Sequence, residues 1–361
     1  MRFERAGHWP ARSLRGADCV TYNLVRAERS TDLNDRPQSQ VKAFLFDAEN
    51  GDTPVEGAGL DSAISLSEKQ LLWIDLINPP ESELQQVADK LALPQEAIDG
   101  YLANATNPAL DNCGECFWLR VVAVDKDPGN QFSGTVLTII AGKNMVITVA
   151  QQQVHFLEKV NSNTSTRGSI GGLGAGSFVA ALLEWQLGTY FDAVARFEIG
   201  VERLEVDVLS TVPRDCLAEL RDLRKAASRL RRMLAPHRVV FSALPRPDFR
   251  PEEDERTERH FRALDTHFER AMDMVENARD LVVGSFELFS SQTALAANET
   301  MKVLTFATVV IGVLAVIGGI LGMNFEAPFF KTGVIGFCVA VGAMLVLAIG
   351  AVFFGKRHRW F

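Results

Sequence analysis

The chain has 361 residues and a formal net charge of −8, and its mean hydropathy is near zero. That length allows one large or two small soluble domains, but the averages conceal an uneven distribution: from Val303 to Phe354 the only ionised residues are Glu326 and Lys331. The five cysteines, Cys19, Cys113, Cys116, Cys216 and Cys338, suggest no disulfide framework, as in a reducing compartment, and no nucleic-acid partner is expected.

Residues 1–17 are expected to be an N-terminal tail. They hold Arg2, Arg5, Arg12 and Arg15 but no continuous apolar run, so they do not read as a secretory signal, and the bulk of the chain is expected to stay in the cytoplasm. Residues 18–165 predict an α/β domain. Cys19–Val25, Val41–Phe46, Leu72–Leu76, Phe117–Val124, Thr135–Ile140 and Val146–Val149 are rich in β-branched and aromatic residues and bounded by Asp, Gly and Asn, which marks strands. Glu81–Leu91 reads as an amphipathic helix with Leu84, Val87, Ala88 and Leu91 on one face, entered through Pro79 and Pro80. Cys113-Gly-Glu-Cys116 is a lone CxxC. A zinc finger needs four ligands and no second pair follows, so the pair reads as small residues in a turn before a strand.

The glycine-rich stretch 168–177 lacks the Lys and Ser/Thr of a phosphate loop and reads as a linker. From 178 to 250 the pattern predicts two helices, Phe178–Leu209 and Asp215–Leu244, the second ended by Pro245 and Pro247. From 251 to 321 one long helix is expected, its first turn rich in Glu252, Glu253, Asp254 and Glu255. Phe261, Leu264, Phe268, Ala271, Val275, Val282, Phe286, Phe289 and Thr293 form a heptad-like seam along it. Two uses of the seam are open: packing against the two preceding helices, or packing of several copies round an axis.

Two runs fit membrane helices. A hydrocarbon core of about 30 Å needs about 20 apolar residues; residues 303–321 supply one span and 332–354 another. Lys302 precedes the first span and residues 355–361 form a basic tail with Lys356, Arg357, His358 and Arg359. By the positive-inside rule both termini are cytoplasmic and the loop 322–331 faces outward, in the plasma (inner) membrane.

Two helices enclose no lumen, so transport requires an oligomer. Thr305 and Thr308, with Gly312, Gly318, Gly319 and Gly322, are small enough for a pore wall or for close helix packing; the second span is greasier, with Phe337, Leu345, Leu347 and Ile349 suited to lipid. The first span closes on Gly322-Met323-Asn324. An Asn ring presents several neutral oxygens at one depth and can hydrogen-bond the water shell that Mg²⁺ sheds reluctantly. Glu326 adds negative charge at the outer mouth, where it concentrates cations.

The stretch Asn298-Glu299-Thr300-Met301-Lys302-Val303-Leu304-Thr305, followed by Gly322-Met323-Asn324-Phe325-Glu326, closely resembles the CorA family of magnesium and cobalt channels, whose hallmark is a GMN tripeptide closing the first of two C-terminal spans. Trp73-Ile74-Asp75-Leu76, with Pro79 and Glu83, resembles the family's N-terminal strand-to-helix segment. Leu230-Arg231-Arg232-Met233-Leu234-Ala235-Pro236 resembles its penultimate cytoplasmic helix. The resemblance implies a homopentameric funnel: an α/β cytoplasmic domain, a long helical stalk and two C-terminal transmembrane helices. It implies that Asn298, Met301, Thr305, Gly312 and Asn324 face the axis, with Met301 near a hydrophobic constriction and Asn324 as the selectivity ring.

The chain departs from the family pattern twice. The first span has no mid-span proline, and the turn reads Ala327-Pro328-Phe329-Phe330 in place of an acidic MPEL-like sequence, so strict magnesium selectivity is not implied. The family's regulatory acids have no assignable counterpart; Asp265, Glu269 and Asp273 are candidates by position alone.

The expected activity is passive conduction of hydrated Mg²⁺, with Co²⁺ or Ni²⁺ as further cargo, and no cofactor. The rival is a Zn²⁺ transporter of the ZntB-like branch, coupled to protons or serving efflux. Proton coupling usually uses a titratable group in the membrane path, and neither span contains Asp, Glu, His or Lys. Zinc prefers nitrogen and sulfur; Cys338 is the only such residue deep in a span, and His260 and His267, seven apart on one helix, are either ring ligands or seam-edge packing. A membrane-anchored sensor or scaffold without conduction is the reading from another class. No nucleophile–base pair, HExxH or phosphate loop marks an enzyme.

Overall fold

Gln70–Ile77 (β3) reads QLLWIDLI, and every residue from Leu71 to Ile77 is buried. A strand buried on both faces needs a layer on each side, and the computed structural model supplies both. It describes residues 39–47, 53–55, 70–126, 132–162, 174–210, 216–249, 255–323 and 333–357. The expected strand Cys19–Val25 and the acidic residues Glu252–Asp254 lie outside the described residues.

Around β3 the sheet contains Gln40–Asp47 (β1), Thr53–Val55 (β2), Ala109–Asn112 (β4), Phe117–Lys126 (β5), Phe132–Ala141 (β6) and Met145–Ala150 (β7). The order is β2-β1-β3-β7-β6-β5-β4. Only β3 and β7 pair in parallel among these; the other neighbours are antiparallel. One face carries Leu72, Ile74, Leu76, Ile140, Ile147 and Val149, covered by Glu81–Leu91 (α1) and Gln95–Leu102 (α2). On the other face Phe46, Trp73, Leu119, Val121, Leu137 and Ile139 meet a helical layer. That layer comprises His155–Ser162 (α3), Ala175–Ser210 (α4), Cys216–Leu234 (α5), Arg238–Phe241 (α6) and the start of Glu255–Leu321 (α7). Gly333–Arg357 (α8) completes the chain's described helices.

Two buried polar groupings tie these elements together. Thr148 Oγ1 accepts from Trp73 Nε1 at 3.0 Å and donates to Asp75 Oδ1 at 2.7 Å, which ties β7 to β3. Burial raises the Asp75 pKa, opposed by that hydrogen bond and by Lys42. The second grouping closes a sheet edge. The short β4 pairs with β5 only from Phe117 to Arg120, so the rest of that edge of β5 needs other partners. Val122 N–H donates to His237 Nε2 at 2.8 Å, and Val122 O accepts from Gln186 Nε2 and Tyr190 Oη at 2.6 and 3.1 Å. Val124 N–H donates to Thr189 Oγ1 at 3.0 Å. Side chains of α4 and of the turn before α6 thus replace a missing strand.

Two expectations are corrected. The helix expected over Asp215–Leu244 ends at Leu234, passes through a 3₁₀ turn at Ala235–His237 and resumes as α6. Pro236, not Pro245 or Pro247, makes the break, because it lacks an N–H and clashes with the preceding turn. The seam on α7 buries Phe261, Leu264, Phe268, Ala271, Val275, Ala278, Val282 and Ser285, but Phe286 is exposed and so is Thr293. From Phe261 to Ser285 the seam packs against α4 and α5. The step after Val282 is three residues, not four, and it carries Phe286 off that face.

Candidate ion-conduction site

α7 runs unbroken for 67 residues, about 100 Å at a rise of about 1.5 Å per residue. Its first half is fixed to the helical layer beside the sheet. Arg238 on α6 grips Glu269 with Nη1 and Nη2 at 2.6 and 3.0 Å, Arg231 on α5 lies 3.4 Å from Glu276, and Ser285 donates to Glu205 on α4 at 2.6 Å. Its second half is apolar, and among the described residues none of its most hydrophobic stretch is fully buried.

At roughly 100° per residue, Asn298, Met301, Thr305 and Gly312 fall within about 60° of arc. All four are exposed, Met301 at 65%, and a Cβ at Gly312 would meet nothing within 4 Å. Gly319 and Met323 continue the same face. Thr300 and Thr308 turn their hydroxyls back onto the carbonyls of Ala296 and Leu304 at 3.0 and 2.8 Å. Among the described residues Thr305 makes no such bond, so its hydroxyl stays available to the open face.

The opposite side of α7 is half-buried, at Phe306, Ala307, Val310, Leu314, Ile317 and Leu321. These residues step by three and four and meet α8. The contacting face of α8 is small: Gly336, Ala340, Met344, Ala348, Ala351 and Gly355 are its half-buried or buried positions, spacing that lets two apolar helices approach closely. Met344 Cε lies 3.8 Å from where a Cβ of Gly318 would stand. Phe337, Leu345, Leu347 and Ile349, expected to meet lipid, are exposed. The small face of α8 was readable as Gly and Ala at steps of four, a signal the hydrophobicity of that span masks.

α7 ends at Leu321, with Gly322 N–H bonded to Gly318 O at 3.0 Å and Met323 N–H to Ile320 O at 3.2 Å. Asn324 and Glu326, and the turn Ala327–Phe330, lie outside the described residues. His260 Nδ1 is 3.2 Å from Ser177 Oγ and His267 Nδ1 is 3.6 Å from Glu184 Oε1, so both histidines lean on α4. Of the acids named by position, Glu269 is held by Arg238, whereas Asp265 is half-buried and Asp273 exposed. Among the described residues no three His, Cys, Asp or Glu side chains gather as a metal site.

The Cys113–Cys116 segment is the tight turn joining β4 to β5. Cys113 N–H donates to Cys116 O at 2.9 Å, and Gly114 takes the left-handed conformation with φ +86°. Burial, with the neighbouring Cys116 and acidic groups, pushes the Cys113 thiol up to about 11. A group that pattern reasoning missed altogether is Arg120: it lies mid-strand in β5 yet is only 5% exposed, and nothing in the alternation of β5 distinguishes it from a solvated strand cation.

The family model described as "CorA-like Mg2+ transporter protein" matches residues 68–357. The cobalt/magnesium transport protein CorA of Methanocaldococcus jannaschii is 23% identical over 301 residues, 82% of this chain and 93% of that protein. The zinc transport protein ZntB of Yersinia pseudotuberculosis is 21% identical over 324 residues, 89% of this chain and 95% of that protein. Among solved structures, the complete CorA magnesium transporter from M. jannaschii superposes with a TM-score of 0.69 at 21% identity, covering 88% of this chain and 98% of that one. It shares the α/β domain, the long helix and the two C-terminal apolar helices. With the match of the family model over most of its length, the chain belongs to the CorA-like Mg2+ transporter family.

Proposed function

We propose that the protein conducts hydrated divalent cations, Mg²⁺ foremost with Co²⁺ and Ni²⁺ as further cargo, through a homopentameric pore in the plasma membrane, with both termini cytoplasmic. The supporting observation is the two-sidedness of α7. α8 and lipid account for one side; among the described residues the side bearing Asn298, Met301, Thr305 and Gly312 has no partner, and further copies of α7 round an axis complete it. The exposed apolar residues Leu281, Val283, Phe286 and Leu295 on the lower part of α7 suit the same assembly.

In this assembly Gly322, Met323 and Asn324 form the selectivity filter, with Asn324 amides hydrogen-bonding the hydration water of the ion. Glu326 raises the cation concentration at the outer mouth. A doubly charged ion gains about 4–5 kcal/mol across 100 mV, so the membrane potential suffices as the driving force.

A second reading, Zn²⁺ transport, is favoured by the similarity to the Yersinia zinc protein across 324 residues and by the lack of acidic residues in Ala327–Phe330. Purified full chain in liposomes separates the two. Magnesium uptake driven by potential alone, blocked by cobalt hexaammine, is the expected result, and Asn324→Ala should broaden or abolish selectivity. Uptake that strictly requires a proton gradient would favour the zinc reading. Wild-type selectivity in Asn324→Ala would exclude the Asn ring.

A further inference from the structure

Among the described residues the buried cation on β5 has no counter-charge. Arg120 Nε and Nη2 are both sequestered from solvent with no hydrogen-bond partner. The guanidinium carbon lies 5.3 Å from the centre of the Trp118 ring, which attracts the charge but offers no acceptor lone pair in line with the N–H bonds. Buried charged donors are normally paired, and desolvation pulls the Arg120 pKa below the ordinary guanidinium value.

The chain makes room for this group. A Cβ at Gly100, in α2, would overlap Arg120 Nη2 outright, so glycine at that position admits the guanidinium beneath the helix. Arg120, Thr138 and Val149 stand side by side in cross-strand register on β5, β6 and β7, and they floor a cavity of about 90 Å³. Tyr101, Asn104, Thr106 and Gln151 stand round it. Gln151 Nε2 donates to Asn104 Oδ1. The lining holds one cation, hydroxyls and amides, and no carboxylate.

We propose that this cavity binds a small oxyanion of the phosphate type, whose oxygens accept from Arg120 Nη1, the guanidinium nitrogen that is not sequestered, and from the surrounding hydroxyl and amide groups, its charge balancing the whole cation. The volume suits one phosphoryl group. Inorganic phosphate fills it whole, whereas a nucleotide would enter by its phosphate with the remainder outside. The site lies in the α/β domain, away from both apolar helices, and its reality does not depend on which cation the protein carries.

The test uses the full chain in detergent micelles with EDTA present, so that metal binding does not contribute. Potassium phosphate should raise the unfolding temperature saturably, by about 5 °C near a hundredfold excess over Kd, while potassium chloride at matched ionic strength should not. AMP at the same concentrations distinguishes the sources: a gain at lower concentration than phosphate assigns the site to a nucleotide phosphate, and a weaker gain assigns it to the free ion. Arg120→Gln should lose the gain, but it alters a buried side chain. Asn104→Asp is the decisive variant. Asn104 is exposed with φ 53°, a conformation Asp also tolerates, and the new carboxylate competes for the guanidinium. That variant should fold, match or exceed the wild type without phosphate, and gain nothing from it. No saturable gain in the wild type, an equal gain from chloride, or an undiminished gain in Asn104→Asp would overturn the proposal.

Discussion

Acid should weaken the packing of the helical layer on the sheet through one residue, His237. Its ring is wholly buried, and its two nitrogens are already committed. Nδ1 lies 3.1 Å from Leu234 O and must donate, while Nε2 accepts the Val122 N–H at 2.8 Å. Burial disfavours the charged ring and outweighs the backbone hydrogen bonds that favour it, so the pKa falls from 6.5 to about 4; a second proton on Nε2 would also point at that N–H. Because the folded pKa is the lower one, the unfolded chain takes up the proton first. The stabilisation is fully present above pH 6.5 and is lost as pH falls from there toward 4. The pKa difference corresponds to about 3 kcal/mol, or about a hundredfold in an opening equilibrium. Hydrogen exchange of the β5 peptide containing Val122, corrected for intrinsic rates, reads this directly in the full chain. The wild type should lose about two orders of magnitude of protection between pH 7 and pH 4. His237→Gln keeps an acceptor without a titration and should lose far less. Equal losses in the two proteins would refute the assignment.

The other predictions concern the helix faces and the β4–β5 turn. On a background free of native cysteines, Cys introduced at Met301, Thr305 or Gly312 should react with hydrophilic thiol reagents and the adduct should reduce cation flux. Cys at Val310, Leu314 or Ile317 should be shielded by α8 and leave flux unchanged, and the reverse pattern would place the passage elsewhere. Cys113 is exposed, yet with its thiol pushed up to about 11 it should alkylate about tenfold more slowly at neutral pH than an ordinary thiol. A smaller thiolate fraction outweighs the higher nucleophilicity of each thiolate. The rate should climb with pH toward 11, and rapid labelling at pH 7, followed by mass spectrometry, would count against the shift.

Strong periodicity and long apolar runs made most of the architecture legible. The helix expected over Glu81–Leu91 occupies those residues, and five expected strands lie within the observed ones. Short elements escaped: β4 is four residues and α2 eight, too few for a period to declare itself. Pro236 was visible, but the apolar spacing on either side of it masked the break. The buried polar groups were illegible for a different reason. His237 and Arg120 owe their roles to Val122 and Gly100, which lie far from them in sequence, and local patterning carries no information about such pairs. The candidate site divides similarly. The stripe Asn298–Met301–Thr305–Gly312 came from the resemblance to the CorA family, and helical spacing puts its members on one face, whereas which side of α7 its neighbour takes depended on α8 presenting Gly336, Ala340, Ala348 and Ala351 to it.

The continuity of α7 links these parts mechanically. Glu269, Glu276 and Ser285 fix it to α6, α5 and α4, and Phe261, Leu264, Phe268, Ala271, Val275 and Val282 bury it in the same layer. Between Ser285 and Met301 no proline interrupts the helix, and each backbone N–H there is committed to the carbonyl one turn before. Turning Met301 independently of Glu276 would require several of those bonds to break together. In the proposed pentamer a shift of the layer formed by α4, α5 and α6 against the neighbouring subunits would therefore reach Met301 and Thr305 as a rigid displacement of the whole stripe, and the lever for it would be the α4–α7 packing rather than any residue within the span.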